Sequence, residues 1–134
     1  MDYVVDASVG IKWVFPEHNS EAAYELLSHQ LFAPDLFWAE CDNVLITALR
    51  RGHLSVAAVK QRRHTLRAVP VAVTPHARLA SRAWQIALTL QHPIYDCYYL
   101  ALAELLGVPM ITDDRKFYRI IQEHKNWGKF IRLL

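Results

Sequence analysis

Between Asn43 and Tyr95 the chain has no aspartate and no glutamate. Those 53 residues carry eight bases, Arg50, Arg51, Lys60, Arg62, Arg63, Arg67, Arg78 and Arg82, so a net charge of only +2 conceals a strong asymmetry. Residues 1–42 hold eight acids against a single base, Lys12, and residues 96–134 hold five acids against six bases. An acid-free basic block of this length could be a footprint for a polyanion or simply a solvated face.

Cysteine is also scarce. Cys41 and Cys97 are too few for a disulfide framework and have no zinc-site spacing, and both lie in apolar helical segments, where they read as core thiols. No apolar run approaches the ~20 residues needed to span a bilayer. Nor is there a cationic segment followed by the apolar stretch of a secretion signal, so a cytoplasmic location is expected. No linker or low-complexity tract interrupts the pattern. Residues 1–134 therefore read as one domain, and 53% hydrophobic content is ample for its core.

What is present alternates. "YVV" (3–5), "LFA" (31–33), "VPVAV" (69–73), "PMIT" (109–112) and "KFIRLL" (129–134) read as strands, with longer helical segments between them. Ser20 is a cap candidate for the helix over "SEAAYELLSHQ", and Pro34 is expected to open the next helix. That helix would bury Trp38, Cys41, Leu45, Ala48 and Leu49, with Glu40, Asn43, Thr47 and Arg50 recurring on its polar stripe, and end at Gly52. Ser55 is expected to cap the basic helix, Thr74 and Pro75 to start another running to about Gln91, and Pro93 and Gly107 to bracket the last long one. The aromatics Trp13, Trp38, Tyr98 and Tyr99 read as core. Together these elements predict an α/β fold, a three-layer α/β/α sandwich on a mainly parallel sheet.

Four carboxylates fall at similar places in that scheme: Asp6 after the first strand, Glu40 in the helix after the second, Asp96 in a first helical turn and Asp114 after the fourth strand. In an open parallel sheet, strand C-termini and helix N-termini share the edge where ligands bind. Taken singly, each has an ordinary explanation. Asp6 or Ser8 could cap a helix, Asp96 and Asp114 suit helix N-termini, and Glu40 could be an exposed helix acid. Taken together they meet an energetic obstacle, because ionised carboxylates about 6 Å apart repel by roughly 3 kcal/mol per pair at an effective dielectric of about 20. A convergent set must bind cations, protonate in part or stay apart. An all-oxygen set suits Mg²⁺ or Mn²⁺, and two such ions can activate a water and stabilise charge on a phosphoryl group. In "TDDRKF", strand alternation puts Thr112 and Asp114 on one side and Asp113 on the other, which assigns Asp114 to the metal side and Asp113 to a solvent-facing or supporting position.

"VVDASVGIKWVFPE", "APDLFWAECDNVLITALRRG" and "IYDCYYLALAELLGVPMITDDRKF", in this order, resemble the PIN-domain nucleases, and within them the VapC-type toxins of toxin–antitoxin pairs. The resemblance spans nearly the whole chain. It implies a metal-dependent endoribonuclease that cleaves phosphodiester bonds by metal-activated water, with Mg²⁺ or Mn²⁺ as cofactor and RNA as substrate. It implies a cognate antitoxin as partner, a homodimer that can enter larger toxin–antitoxin complexes, and no membrane association. Carried onto these residues, the catalytic set is Asp6, Glu40, Asp96 and Asp114. Asp6, Asp96 and Asp114 would bind metal, and Glu40 would ligate it or orient the attacking water. Ser8, Asn43, Thr112 and Asp113 would support them. Arg50, Arg51, Arg62 and Arg63 are the expected RNA contacts. Two competing functions remain open: a non-catalytic module of the same fold that binds RNA or protein, and a phosphotransfer domain. The second lacks the Asp-x-Asp after the first strand, where the third position is Ser8.

Overall fold

The computed structural model describes all 134 residues. Five strands form one sheet in the order β3-β2-β1-β4-β5: β1 (Asp2–Val5), β2 (Gln30–Pro34), β3 (Val71–Thr74), β4 (Met110–Thr112) and β5 (Ile131–Leu133). Every pairing is parallel, so the sheet is wholly rather than mainly parallel. Parallel neighbours need crossovers, which are supplied by α1 (Ala7–Gly10), α2 (Ser20–Glu25), α3 (Leu36–Arg50), α4 (Val56–Arg67), α5 (Ala80–Leu90), α6 (Ile94–Leu106) and α7 (Arg115–Gln122). Right-handed crossovers put α1 to α4 on one face of the sheet and α5 to α7 on the other, giving the three layers. No helix is long and apolar enough to cross a membrane.

The order of strands fixes where a ligand can sit. From β1 the chain moves outward through β2 to β3, then returns past β1 to lay down β4 and β5. The direction therefore reverses between β1 and β4, and the crevice beyond their C-terminal ends is the topological switch point of the sheet. Both strands are rigidly embedded: Val4, Val5, Met110 and Thr112 are completely buried, and α6 packs Cys97, Tyr99, Leu100 and Leu102 into the same core. Cys41 and Cys97 are free, buried thiols.

Several local expectations shift for identifiable reasons. Pro34 ends β2 instead of opening α3, because it pairs with Thr74 of β3. Thr74 is thereby held in the sheet and caps nothing. A 3₁₀ turn (His76–Arg78) follows it, and α5 starts only at Ala80. Ser20 does not cap α2. Its hydroxyl closes the preceding turn on the Glu17 backbone, and Asn19 turns the chain in the left-handed region at φ 63°. On α3, Phe37, Cys41, Leu45 and Ala48 form the buried face, while Trp38 and Leu49 are half-buried. Phe37 lies against Gly10 so closely that a Cβ there would overlap its ring. Ser55 does cap α4, accepting the Ala58 N–H at 3.1 Å, and Gly52 and Gly107 end α3 and α6 with φ of 75° and 70°.

Candidate active site

Asp6 leaves β1 in an extended conformation at the switch point, and its Oδ1 caps α1 by accepting the Val9 N–H at 3.3 Å. It is buried, and two hydroxyls hold it. Ser8 donates to Oδ1 and Thr112, on the neighbouring strand β4, donates to Oδ2, each at 2.5 Å. The same hydroxyls accept backbone N–H groups from the loop after β4: Asp113 N–H to Ser8 at 3.0 Å and Asp114 N–H to Thr112 at 3.0 Å. Two short relays thus stitch the ends of β1 and β4 together through one carboxylate. Burial pushes the Asp6 carboxyl up to about 7, the hydrogen bonds from Ser8 and Thr112 oppose that rise, and the charge of Asp96 adds to it. A carboxylate has about four acceptor positions, and Val9, Ser8 and Thr112 occupy three, leaving one on Oδ2.

The adjacent pair after β4 separates. The Asp113 carboxylate turns to Lys12, whose Nζ stands 3.2 Å from its Oδ2, 3.4 Å from Glu17 Oε2 and 2.6 Å from the His18 carbonyl. Lys12 is buried, so this cation ties the 3₁₀ turn that follows α1 (Ile11–Trp13) to the β4–α7 loop from within the core. Asp114 instead caps α7, accepting the Phe117 N–H at 3.0 Å.

Glu40 and Asp96 approach from opposite helical layers. Glu40 on α3 accepts the Tyr99 hydroxyl of α6 at 2.5 Å, and Asp96 in the first turn of α6 lies 2.9 Å from His92 Nε2. Burial raises the Glu40 carboxyl above its ordinary range, the Tyr99 hydrogen bond opposes this, and the charge of Asp96 raises it again. Asp6, Glu40 and Asp96 are thus coupled electrostatically. Asn43, one turn after Glu40, is exposed and lines the same cleft.

No lysine or arginine pairs with Asp6, Glu40, Asp96 or Asp114; the ones that form ion pairs, Lys12, Arg63, Arg67 and Arg82, lie on Glu17, Asp113, Asp42 and Glu104. Asp96 repels Asp6 and Glu40, and none of the three has a lysine or arginine partner, so they offer oxygen donors of the kind a hard divalent cation takes. Asp114, exposed at the start of α7, is not among the charges that raise them. Each of the four is held by a protein donor, and no three carboxylate, imidazole or thiol groups stand close enough together to grip one ion.

The basic block is less free than its sequence suggests. Arg63 makes a two-pronged contact with Asp42 at 2.9 and 3.2 Å, Arg67 joins the same carboxylate, and Arg82 pairs with Glu104. Arg62 donates to the Val14 carbonyl at 3.0 Å and lies over the Phe15 ring. The structure thus engages two of the four expected RNA contacts, Arg62 and Arg63, within the chain itself. Arg50 and Arg51 are exposed at the end of α3, and Arg51 lines a small cleft that shares Asn43 and Val44 with the one beside Glu40.

Sequence reasoning missed Lys12, His92 and Tyr99 as partners of the acids. Lys12 had a signal, as the only base among the first 42 residues, and His92 stands at the i,i+4 spacing from Asp96. Tyr99 had none beyond lying one turn after Asp96.

The PIN domain family matches residues 3–122. Ribonuclease VapC9 of Mycobacterium tuberculosis is 30% identical over 111 residues, covering 83% of this chain and 84% of its own length. Ribonuclease VapC3 of Pyrobaculum aerophilum is 33% identical over 120 residues, covering 87% and 92%. Among solved structures, PAE2754 of Pyrobaculum aerophilum superposes with a TM-score of 0.69 at 23% identity, covering 98% of this chain and 89% of its own. The Mycobacterium tuberculosis toxin VapC20, described as cleaving the sarcin-ricin loop, gives 0.67 at 16% identity, covering 87% and 93%. A toxin–antitoxin complex from Klebsiella pneumoniae gives 0.63 at 18%, covering 85% and 88%. The match runs from β1 to the end of α7 and takes in each of the four acidic positions, so the chain belongs to the PIN-domain family.

Proposed function

We propose that this protein is a metal-dependent endoribonuclease, the toxin of a toxin–antitoxin pair, which hydrolyses RNA phosphodiester bonds at the carboxylates beyond β1 and β4. One observation carries the reading: a buried Asp6 at the switch point, coupled to Asp96, which is coupled in turn to Glu40, with no lysine or arginine to neutralise the set. The names of the relatives, VapC ribonucleases, support the substrate class. A bound divalent ion would supply a water activated for attack at neutral pH and charge stabilisation on the phosphoryl oxygens.

The chain's own residues do the rest. Asp6 presents the free acceptor position on Oδ2, in an orientation set by Ser8, Thr112 and Val9. Asp96 and Asp114 are the further ligand candidates, for Mg²⁺ or Mn²⁺. Glu40 keeps Oε1 on Tyr99, which leaves Oε2 to orient the attacking water and take its proton. Asp113 supports the site indirectly, through Lys12 on its carboxylate and Ser8 on its N–H. Arg50 and Arg51 hold the RNA backbone, and Asn43 lies between them and the acids. A cognate antitoxin and a homodimer complete the proposed assembly.

The test is incubation of purified protein and an Asp96→Asn variant with total RNA, in Mn²⁺, Mg²⁺ or chelator. Discrete cleavage lost both in chelator and in the variant is expected. Cleavage that survives both overturns the reading, and intact RNA throughout favours a non-catalytic binding module.

A further inference from the structure

A cleft of about 780 Å³ opens beside Glu40, and the catalytic reading leaves most of its wall without a task. Tyr95 and Tyr98 from α6 form one side, His76 from the turn after β3 another, and Ser8, Glu40 and Asn43 border the acids. Tyr95, directly before Asp96 in the first turn of α6, is 65% exposed, so its ring is open to a ligand. Tyr98 is half-buried and meets the His76 ring edge-on, with centroids 6.0 Å apart and planes at 73°. His76 is itself fixed: its N–H donates to Asp35 Oδ1 at 2.9 Å and its Nδ1 lies 2.8 Å from the same oxygen. Nε2 is left as the free ring nitrogen.

The chemistry of this wall selects its occupant. No lysine or arginine lines the cleft, and Glu40 stands in it, so a phosphate or a peptide carboxylate is repelled. Ala7, Ile11, Leu36, Ala39 and Val44 complete a largely apolar wall, which an aliphatic side chain would cover while bringing no polar group of its own to Asn43 and His76. A neutral, planar group with hydrogen-bonding edges satisfies both, which describes an unpaired nucleobase. The neighbouring cleft then continues along α3 from Asn43 and Val44 to Arg51 and His53, about 16 Å from Glu40 at 1.5 Å per residue, where backbone phosphates would find positive charge.

We propose that the cleft is a base-binding subsite, in which an unpaired nucleobase flanking the scissile phosphate stacks on Tyr95 and is read at its edge by Asn43 and His76. The proposal rests on the ribonuclease reading and extends it from the reacting phosphate to substrate selection. A base inside a duplex cannot enter, so the site selects single strands and loops. Tyr95 touches the substrate without joining the chemistry.

The experiment is equilibrium binding of labelled single-stranded RNA dodecamers (oligo-A, oligo-C and oligo-U) in chelator, where no cleavage occurs, to the wild type, Tyr95→Ala and Tyr95→Phe. Loss of one base stack is expected to weaken Tyr95→Ala about five- to hundredfold, with Tyr95→Phe close to wild type. Affinity for a duplex of the same length should be equal in all three proteins. Equal single-strand affinity in wild type and Tyr95→Ala overturns the subsite even if RNA is cleaved in Mn²⁺. Tyr95-dependent binding without cleavage in Mn²⁺ upholds the subsite and overturns the nuclease reading instead. Absence of any RNA binding overturns the subsite, and overturns the nuclease reading as well if RNA also stays intact in Mn²⁺.

Discussion

Thr112 donates its hydroxyl to Asp6 Oδ2 across 106 positions of sequence, from β4 to the adjacent parallel strand β1. Because the same Oγ accepts the Asp114 N–H, one side chain fixes both the buried acid and the start of the loop that leads into α7. Thr112→Val keeps the shape and removes the hydroxyl, leaving two polar groups without a partner. Unfolding in urea should show a loss of about 1–3 kcal/mol, with Thr112→Ser restoring most of it.

The state of Asp6 makes stability depend on pH in the metal-free protein. An unfolded aspartate releases its proton near pH 4, whereas the folded one keeps it up to about 7. Between these values the folded state binds the extra proton, so its advantage is complete below about pH 4 and is lost as pH rises through about 7. In chelator, Asp6→Asn should therefore be more stable than wild type at pH 8, by a margin on the order of a few kcal/mol, and similar at pH 4. Chemical denaturation across that range measures it. Added Mn²⁺ should close the gap at pH 8 by stabilising only the wild type.

Lys12 carries a buried charge whose removal strands Asp113. Lys12→Met should cost about 3–5 kcal/mol, and pairing it with Asp113→Asn should recover part of the loss. A double-mutant cycle in urea reports the coupling directly. Additive effects would mean that the 3.2 Å contact contributes no coupling energy.

Tyr99 lowers the carboxyl of Glu40 against the effect of burial. Tyr99→Phe removes that bond, so Glu40 should ionise at higher pH than in the wild type. If Glu40 takes a proton from the attacking water, the rising limb of the pH–rate profile for RNA cleavage moves to higher pH in this variant. An unmoved limb would take Glu40 out of that role.

For RNA affinity, Arg51→Glu is more informative than reversing Arg62 or Arg63. Arg51 is exposed, whereas Glu at 63 would stand against Asp42 and disturb the packing of α3 on α4. Arg51→Glu should weaken binding to all single strands alike and reduce the salt slope by about one.

The acids could be located from sequence because local rules place them: Asp6, Asp96 and Asp114 sit at element boundaries marked by β-branched runs, prolines and capping positions. Asp6 proves to be a cap that still leaves one acceptor position free, so capping does not exclude the proposed site role. What could not be read depends on pairing between distant segments. Pro34 and Thr74 became strand ends only because β2 and β3 meet there. The acid-free block reads as a basic surface in sequence because the carboxylates that engage it lie outside its borders, Asp42 directly before it and Glu104 about two turns of α6 beyond its end. Tyr98 and Tyr99 have the same composition signal, yet one lines the cleft and the other is buried with its hydroxyl on Glu40, a difference set by helix rotation against α3.

Calorimetric titration of Mn²⁺ into the RNA-free protein at pH 8, with Asp6→Asn and Asp96→Asn alongside, tests whether the carboxylates beyond β1 and β4 hold a divalent cation. Binding by the wild type, weakened at least about tenfold in both folded variants, is the predicted result. Equal Mn²⁺ affinity in all three proteins, or no binding by the wild type, would contradict it.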